Sequence, residues 1–264
     1  MPHKTKEIKK IINEYLGRDG VLSKELPGYE HRPEQIAMAE AVLKVLTEHG
    51  IILVEAGTGT GKTLAYLLPA ILSNQRVVVS TGTKTLQEQI FYKDLPTLQK
   101  HFNFRAVMMK GRGNYLCWRR FHKFGLQPKL EFIEDRDSFA QVVTWSQSTQ
   151  SGDREELKEL SEDSPLWPKI ASDADLCHGS NCQHFRECFV TRLKIKAQAA
   201  ELLVVNHSLY FADLAIRKQG FNGVIPRHKA VIFDEAHILE DVITEYFGLN
   251  VSDKKVLDLA RDLR

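Results

Sequence analysis

The densest chemistry in the chain lies in eight consecutive residues, Ala56-Gly-Thr-Gly-Thr-Gly-Lys-Thr63. Gly57, Gly59 and Gly61 let backbone N–H groups curl around phosphate oxygens without side-chain clash. The apolar run Ile51–Val54 reads as a buried strand before the turn, and Thr63–Leu72 reads as a helix after it. Strand, glycine-rich turn and helix in that order are the context a phosphate loop requires, and the helix N-terminus adds partial positive charge. In such a loop Ala56, Gly57, Thr58, Gly59, Thr60 and Gly61 surround the phosphates of ATP. Lys62 reaches the β- and γ-phosphates, and the Thr63 hydroxyl ligates Mg²⁺. Ala56 stands where the pattern has Gly; a small residue suffices there.

A second acidic element, Val231-Ile-Phe-Asp-Glu-Ala-His237, ends an apolar strand with two carboxylates. Open α/β sheets bind ligands at the carboxyl ends of their strands. Asp234 is placed to hold the Mg²⁺ shell, and Glu235 to orient and deprotonate an attacking water. Catalysis would then rest on Lys62, Asp234 and Glu235. The bland alternative is an acidic pair capping the helix that follows.

Cys117, Cys177, Cys182 and Cys188 are the chain's four cysteines, spaced C-x59-C-x4-C-x5-C. In a cytoplasmic chain that pattern argues for metal rather than disulfides. Spacing leaves zinc and an iron–sulfur cube both open, with His178 and His184 as alternative zinc ligands. Four buried thiols without metal are the remaining alternative.

Composition is that of a folded protein: 264 residues, 43% hydrophobic and 27% charged. The N-terminus has no apolar core suited to secretion, and no apolar run approaches the ~20 residues of a membrane helix. A cytoplasmic protein is expected. Net charge is only +2, yet Lys84–Lys129 carries ten Lys/Arg against two Asp/Glu, whereas Glu131–Asp163 carries three against ten. The basic stretch interleaves Phe91, Tyr92, Phe102, Phe104, Tyr115, Trp118, Phe121 and Phe124. Cations and rings together suit single-stranded nucleic acid, although several of these rings must be core.

The elements that must position these residues alternate. Helices are expected at Ile8–Leu16, from Pro33, at Thr63–Leu72, Thr85–Tyr92, Val190–Ala200 and Leu209–Ile216. Strands are expected at Ile51–Val54, Val77–Ser80, Phe104–Met109, Leu202–Val205 and Ala230–Phe233. Continuous apolar strands alternating with helices imply an α/β fold with a parallel sheet. The alternation stops between residues 111 and 188, which reads as an insertion with little periodicity of its own. Trp118, Phe121, Phe124, Phe132 and Trp145 offer it a small core, and metal ligation would supply folding free energy.

Asp234-Glu-Ala-His237 resembles the DEAH form of the Walker B motif in superfamily-two helicases. With the cysteines, the chain is similar to the DinG/XPD branch, the iron–sulfur DNA helicases, and most to the bacterial DinG type. Arg32-Pro-Glu-Gln35 resembles that branch's adenine-recognition motif, which makes Gln35 a reader of the base edge. Ser80-Thr-Gly-Thr-Lys-Thr-Leu-Gln-Glu-Gln89 resembles its motif Ia, where Thr81, Thr83 and Gln87 would meet DNA phosphates or cap the next helix. Val205-Asn-His207 resembles its segment before Walker B.

Lys110-Gly-Arg-Gly-Asn-Tyr-Leu-Cys117 resembles the lead-in to its first cluster ligand, which implies a [4Fe–4S] cluster on the four cysteines and a DNA or structural role for Arg112. A basic lobe carrying Arg119, Arg120 and Lys123 would act as a wedge at a duplex junction. The resemblance implies a RecA-like P-loop domain over 1–110 and 189–240, interrupted by an iron–sulfur insertion at 111–188. Residues 241–264 would begin an arch-like insertion. It also implies ATP-driven 5′–3′ movement on single-stranded DNA and a role in DNA repair. Only 27 residues follow His237, so the second RecA-like domain of such motors is expected to be missing from this chain. Two other readings stand beside this one: a metal-stabilised nucleic-acid adaptor with a relict P-loop, and a zinc-containing RNA-dependent ATPase.

Overall fold

Ile8, Ile12, Tyr15 and Leu16 share one helical face and are buried together. They belong to the first helix of a computed structural model that describes residues 2–25, 28–57, 59–126, 133–161 and 163–248. The chain divides into two units, Met1–Met108 with Glu201–Arg264, and Met109–Ala200.

The first unit opens with α1 (Pro2–Leu16), α2 (Val21–Glu25) and α3 (Pro33–Glu48). Pro33 occupies the first turn of α3, where its missing N–H is harmless. Next come α4 (Lys62–Leu72), β1 (Val77–Thr81), α5 (Lys84–Gln89), a wider π turn at Ile90–Asp94, α6 (Leu95–Gln99) and β2 (Ala106–Met108).

The second unit holds α7 (Trp118–Leu126), α8 (Ile133–Ser148), α9 (Trp167–Ile170) and α10 (Phe189–Ala199). The chain then returns as β3 (Leu202–Asn206), α11 (His207–Lys218), β4 (Ala230–Phe233) and α12 (Leu239–Phe247).

The four strands form one all-parallel sheet in the order β2-β3-β1-β4. Val77 pairs with both Leu202 and Ala230, so β1 is central. Every residue of β1 is buried, as expected of a strand covered on both faces. The core joins α1, α3 and α4 to this sheet through Leu43, Tyr66, Leu67, Val79 and Val204.

The expectation of a buried strand at Ile51–Val54 fails. Among the described residues the segment pairs with no strand, and Ile51 and Leu53 are 100% and 89% exposed. Apolar composition becomes a strand only where it pairs with a neighbouring edge, and among the described residues this segment does not pair with the open edge of β4. The insertion expected at 111–188 falls within the second unit, Met109–Ala200, and Phe189 and Val190 of α10 are buried in that unit's own core.

That core is substantial: Leu116, Phe121, Val142, Leu166, Trp167 and Ile170 are buried, with Trp118, Phe124 and Trp145 packed against them. Phe132, expected to join it, lies outside the described residues. Of the expected arch-like segment, α12 is described; 249–264 lie outside the described residues.

Inside the second unit Lys110 and Asp153 form an ion pair at 2.9 Å, with side chains only 2% and 9% exposed. Breaking one side of such a pair strands the other charge and typically destabilises by about 3–5 kcal/mol. Asp153→Ala is therefore expected to lower this unit's stability by about that much, read as loss of hydrogen-exchange protection confined to 109–200. Unchanged protection there would contradict the burial of Lys110.

Candidate nucleotide and nucleic-acid site

The phosphate loop is shaped by its glycines and by the helices beside it. Gly59 and Gly61 have φ of +77° and +75°, a region costly for side chains. Gly61 caps α4. The Thr60 hydroxyl donates to the Gly57 carbonyl at 2.9 Å, and Lys62 Nζ donates to the Ala56 carbonyl at 3.0 Å, so the loop closes on itself. Thr58 lies outside the described residues.

Gln35 is buried in α3 and donates from Nε2 to the Gly61 carbonyl at 3.0 Å, while its Oε1 accepts from the Tyr29 hydroxyl at 3.1 Å. The structure thus gives the expected base reader a different partner, the phosphate loop. The site lies next to α3 for that reason.

One turn into α4, Tyr66 reaches across to the acidic element. Its hydroxyl donates to Asp234 Oδ2 at 3.2 Å. Burial and the nearby Asp234 carboxylate push the Tyr66 pKa well above its usual value, while the nearby Thr63 side chain lowers the pKa of the same phenol. Burial raises the Asp234 pKa, the Tyr66 hydrogen bond pulls it back, Glu235 raises it and Lys62 lowers it. Lys62, Thr63, Tyr66 and Asp234 therefore form one neighbourhood. One hydroxyl and one carboxylate suit a Mg²⁺ that draws its other ligands from phosphate and water.

The register of the sheet places Asp234. Ser80 pairs with Phe233, and the Asp234 N–H donates to the Ser80 carbonyl at 2.8 Å. Glu235 turns the chain with φ +58°, an unusual conformation for its residue type, and its carboxylate lies 3.4 Å from His237 Nδ1. A Cβ at Gly82 would lie 2.6 Å from Ile238 Cδ1, so the turn after β1 packs directly on this acidic turn.

Of the expected DNA contacts, only Thr83 is exposed, and its hydroxyl caps α5 at the Leu86 N–H. Thr81 is buried, donating to the Thr83 carbonyl at 3.0 Å, and Gln87 is buried, donating to the Val204 carbonyl at 2.9 Å. Both fasten the turn to the sheet. Exposed Lys84 and Thr85 adjoin Thr83 instead. Tyr92 is exposed, whereas Phe104, Tyr115 and Phe121 of the basic stretch are core.

In the second unit Lys123 of the expected basic wedge is exposed, whereas both wedge arginines and Arg112 bind backbone. Arg112 donates to the Asp173 carbonyl at 3.2 Å, Arg119 to that of Leu176, and Arg120 to those of Ala171 and Pro168. These bonds hold α7 against the segment leading to Cys177. Trp118, next to Cys117, packs on Phe189, next to Cys188, at 5.4 Å, and His122 stacks on His184 at 5.1 Å.

All four cysteines are free thiols, a donor set suited to metal. Yet among the described residues no group of three His, Cys, Asp or Glu is close enough to hold a metal ion, so the geometry does not close a cluster or zinc site. His184 instead faces Glu187 at 3.8 Å, and His178 precedes a short turn at Gly179–Asn181.

Sequence reasoning missed Tyr29, Tyr66 and Ser80. Tyr66, one helical turn after Lys62, carried a signal in its spacing; the other two did not.

Residues 32–123 match the family model described as DEAD/DEAH box helicase. That stretch, about a third of the chain, is a DEAD/DEAH box helicase domain match. It is 42% identical over 247 residues to the ATP-dependent DNA helicase YoaA of Haemophilus influenzae, covering 93% of this chain and 39% of that protein. The Escherichia coli YoaA is 40% identical over the same shares. The Bacillus subtilis protein named 3′-5′ exonuclease DinG is 34% identical over 88% of this chain and 25% of its own length. The chain thus spans about two fifths or less of these helicase-family relatives. No helix among the described residues is long and apolar enough to cross a membrane.

Two outcomes follow for this helicase-family site. A Cβ on Gly61 would fall 2.3 Å from Gln35 Nε2 at a positive φ. Gly61→Ala is expected to weaken nucleotide binding by about tenfold or more, measured by titration with a fluorescent ADP analogue. Native affinity would contradict the cradle.

The second concerns Asp94, on the π turn, whose Oδ2 is buried without a hydrogen-bond partner among the described residues. Burial pushes its carboxyl up to about 6, offset by Lys93 and reinforced by Asp234. Protonated Asp94 supports the fold below the usual carboxylate range, and that support is lost as pH rises through about 6. Because the group is partly solvated, Asp94→Asn is expected to raise stability by only about 1–2 kcal/mol at pH 7.5, and not at pH 4. Urea unfolding at both pH values checks this; an equal gain at both would oppose it.

Proposed function

We propose that this chain is the ATP-binding part of an ATP-dependent DNA helicase that moves 5′ to 3′ on single-stranded DNA. The observation that carries the reading is the hydrogen bond from Tyr66, one turn after Lys62, to Asp234. It supports a single site for the phosphate loop and the acidic turn. The names of the relatives support DNA as the substrate. The polarity, the DNA-repair setting and a cytoplasmic location rest on the resemblance to the DinG/XPD branch.

In this reading the backbone of residues 57–61 cradles the triphosphate, and Lys62 leaves the Ala56 carbonyl for the β- and γ-phosphates. Thr63 and Asp234 would hold Mg²⁺, which neutralises charge on the phosphates when bound. Tyr66 keeps the Asp234 carboxylate oriented. Glu235, about two fifths exposed at the strand end, orients the attacking water and accepts its proton. The exposed turn Thr83–Thr85 meets the DNA backbone.

A [4Fe–4S] cluster on Cys117, Cys177, Cys182 and Cys188 belongs to the reading on the resemblance and on the adjacency of the segments that carry them. When bound it would add metal–thiolate bonds to the second unit's core. Iron and acid-labile sulfide measured after anaerobic purification test it; zinc in place of iron would replace it.

Glu235→Gln is expected to keep Mg²⁺–ATP binding within a few-fold while lowering DNA-stimulated hydrolysis by about 10²-fold or more. Lys62→Ala is expected to lose both. Turnover unaffected by either substitution would overturn the catalytic reading and leave a nucleic-acid adaptor.

A further inference from the structure

His207 is completely buried at the start of α11 and takes no part in the chemistry above. Its neighbour Asn206 has a local task, accepting from the Leu209 N–H to cap the helix. His207 does not. Its Nδ1 lies 2.7 Å from the Ser80 hydroxyl, and its ring packs on Phe233 at 5.8 Å. Its Nε2 is buried with no hydrogen-bond partner among the described residues. Burial lowers its pKa, opposed by the backbone of Asp234 and Glu235 and by the Asp234 carboxylate, with His237 adding to the lowering. The ring is therefore a buried polar group beneath the acidic turn.

Ser80 is engaged from two sides. Its hydroxyl meets His207, and its carbonyl accepts the Asp234 N–H at 2.8 Å. The next residues are buried Thr81, then Gly82 packed on Ile238, then the exposed Thr83–Thr85. One serine thus joins the turn facing the phosphates to the turn facing solvent, and a buried imidazole fixes that serine's rotamer.

We infer that His207 is a positioning residue that couples the two turns, so that nucleotide at Asp234–Glu235 and single-stranded DNA at Thr83–Thr85 alter each other's affinity through Ser80. The inference rests on the reading of this chain as a nucleotide-driven DNA motor. A buried polar pair that merely satisfies itself would support the fold without such reciprocity.

The test measures the affinity of the purified 264-residue chain for a fluorescent ADP analogue with Mg²⁺, with and without saturating oligo-dT. The native chain is expected to show a coupling factor of about 5-fold or more. Ser80→Ala removes one oxygen and leaves His207 in place. His207→Leu removes the imidazole, and His207→Asn retains a polar group. In Ser80→Ala and His207→Leu the factor is expected to fall within twofold of one, while each ligand alone binds within about threefold of native. His207→Asn is expected to restore part of it.

Coupling that persists in Ser80→Ala, or is absent from a native chain that binds both ligands, overturns the inference. So does a change in single-ligand affinity that accounts for the whole effect. Failure of the native chain to bind nucleotide or DNA at all would instead sink the function proposed above. If His207→Leu does not fold, Ser80→Ala decides the matter alone.

Discussion

The hydrogen bond from the Asp234 N–H to the Ser80 carbonyl is the constraint on which the site depends. It is the last rung of the parallel pairing between β1 and β4, and side chains on a strand alternate faces. A slip of one residue would carry Asp234 away from Tyr66 and Glu235 away from the turn at Gly82. The register is held by burial: β1 is enclosed on both faces, and α3 and α4 pack over it. Site geometry is in this sense a consequence of core packing several residues away.

The second unit follows another logic. Arg112, Arg119 and Arg120 donate to backbone carbonyls, and Lys110 pairs with a buried carboxylate. These charges fasten a loop-rich segment to itself. With few long helices, such a segment has many carbonyls without helical partners, and guanidinium groups are well shaped to collect them. The thiol-bearing segments are drawn together by the same contacts and by rings beside Cys117 and Cys188.

Much of the fold was legible. Val77–Thr81, Leu202–Asn206 and Ala230–Phe233 are apolar runs bounded by polar residues, and they became strands. The phosphate loop was legible because glycines at fixed spacing have few other uses. Ile51–Val54 misled, because apolar composition specifies a need for burial and not the presence of a partner. For Thr81 and Gln87 the motif gives residue types, while packing decides which way an amide or hydroxyl turns, and here both turn inward. Gln35 was legible as part of the site but not in its contact with Gly61, which depends on how α3 lies against the loop. The core of the second unit was legible in Trp118, Phe121, Phe124 and Trp145, but Leu116, Val142, Leu166 and Ile170 escaped, because they come from helices, turns and loops without a single period.

The exposed run Ile51–Val54 has a mechanical meaning for the loop that follows it. Downstream, residue 62 enters a helix whose inner face is locked among apolar neighbours. Upstream, the backbone has no ladder to resist a pull among the described residues. A load applied at the glycines therefore meets a stiff support on one side and a compliant one on the other. Displacement is borne by the free arm, while stress travels along the anchored one, through the phenol, to the carboxylate at the end of the sheet.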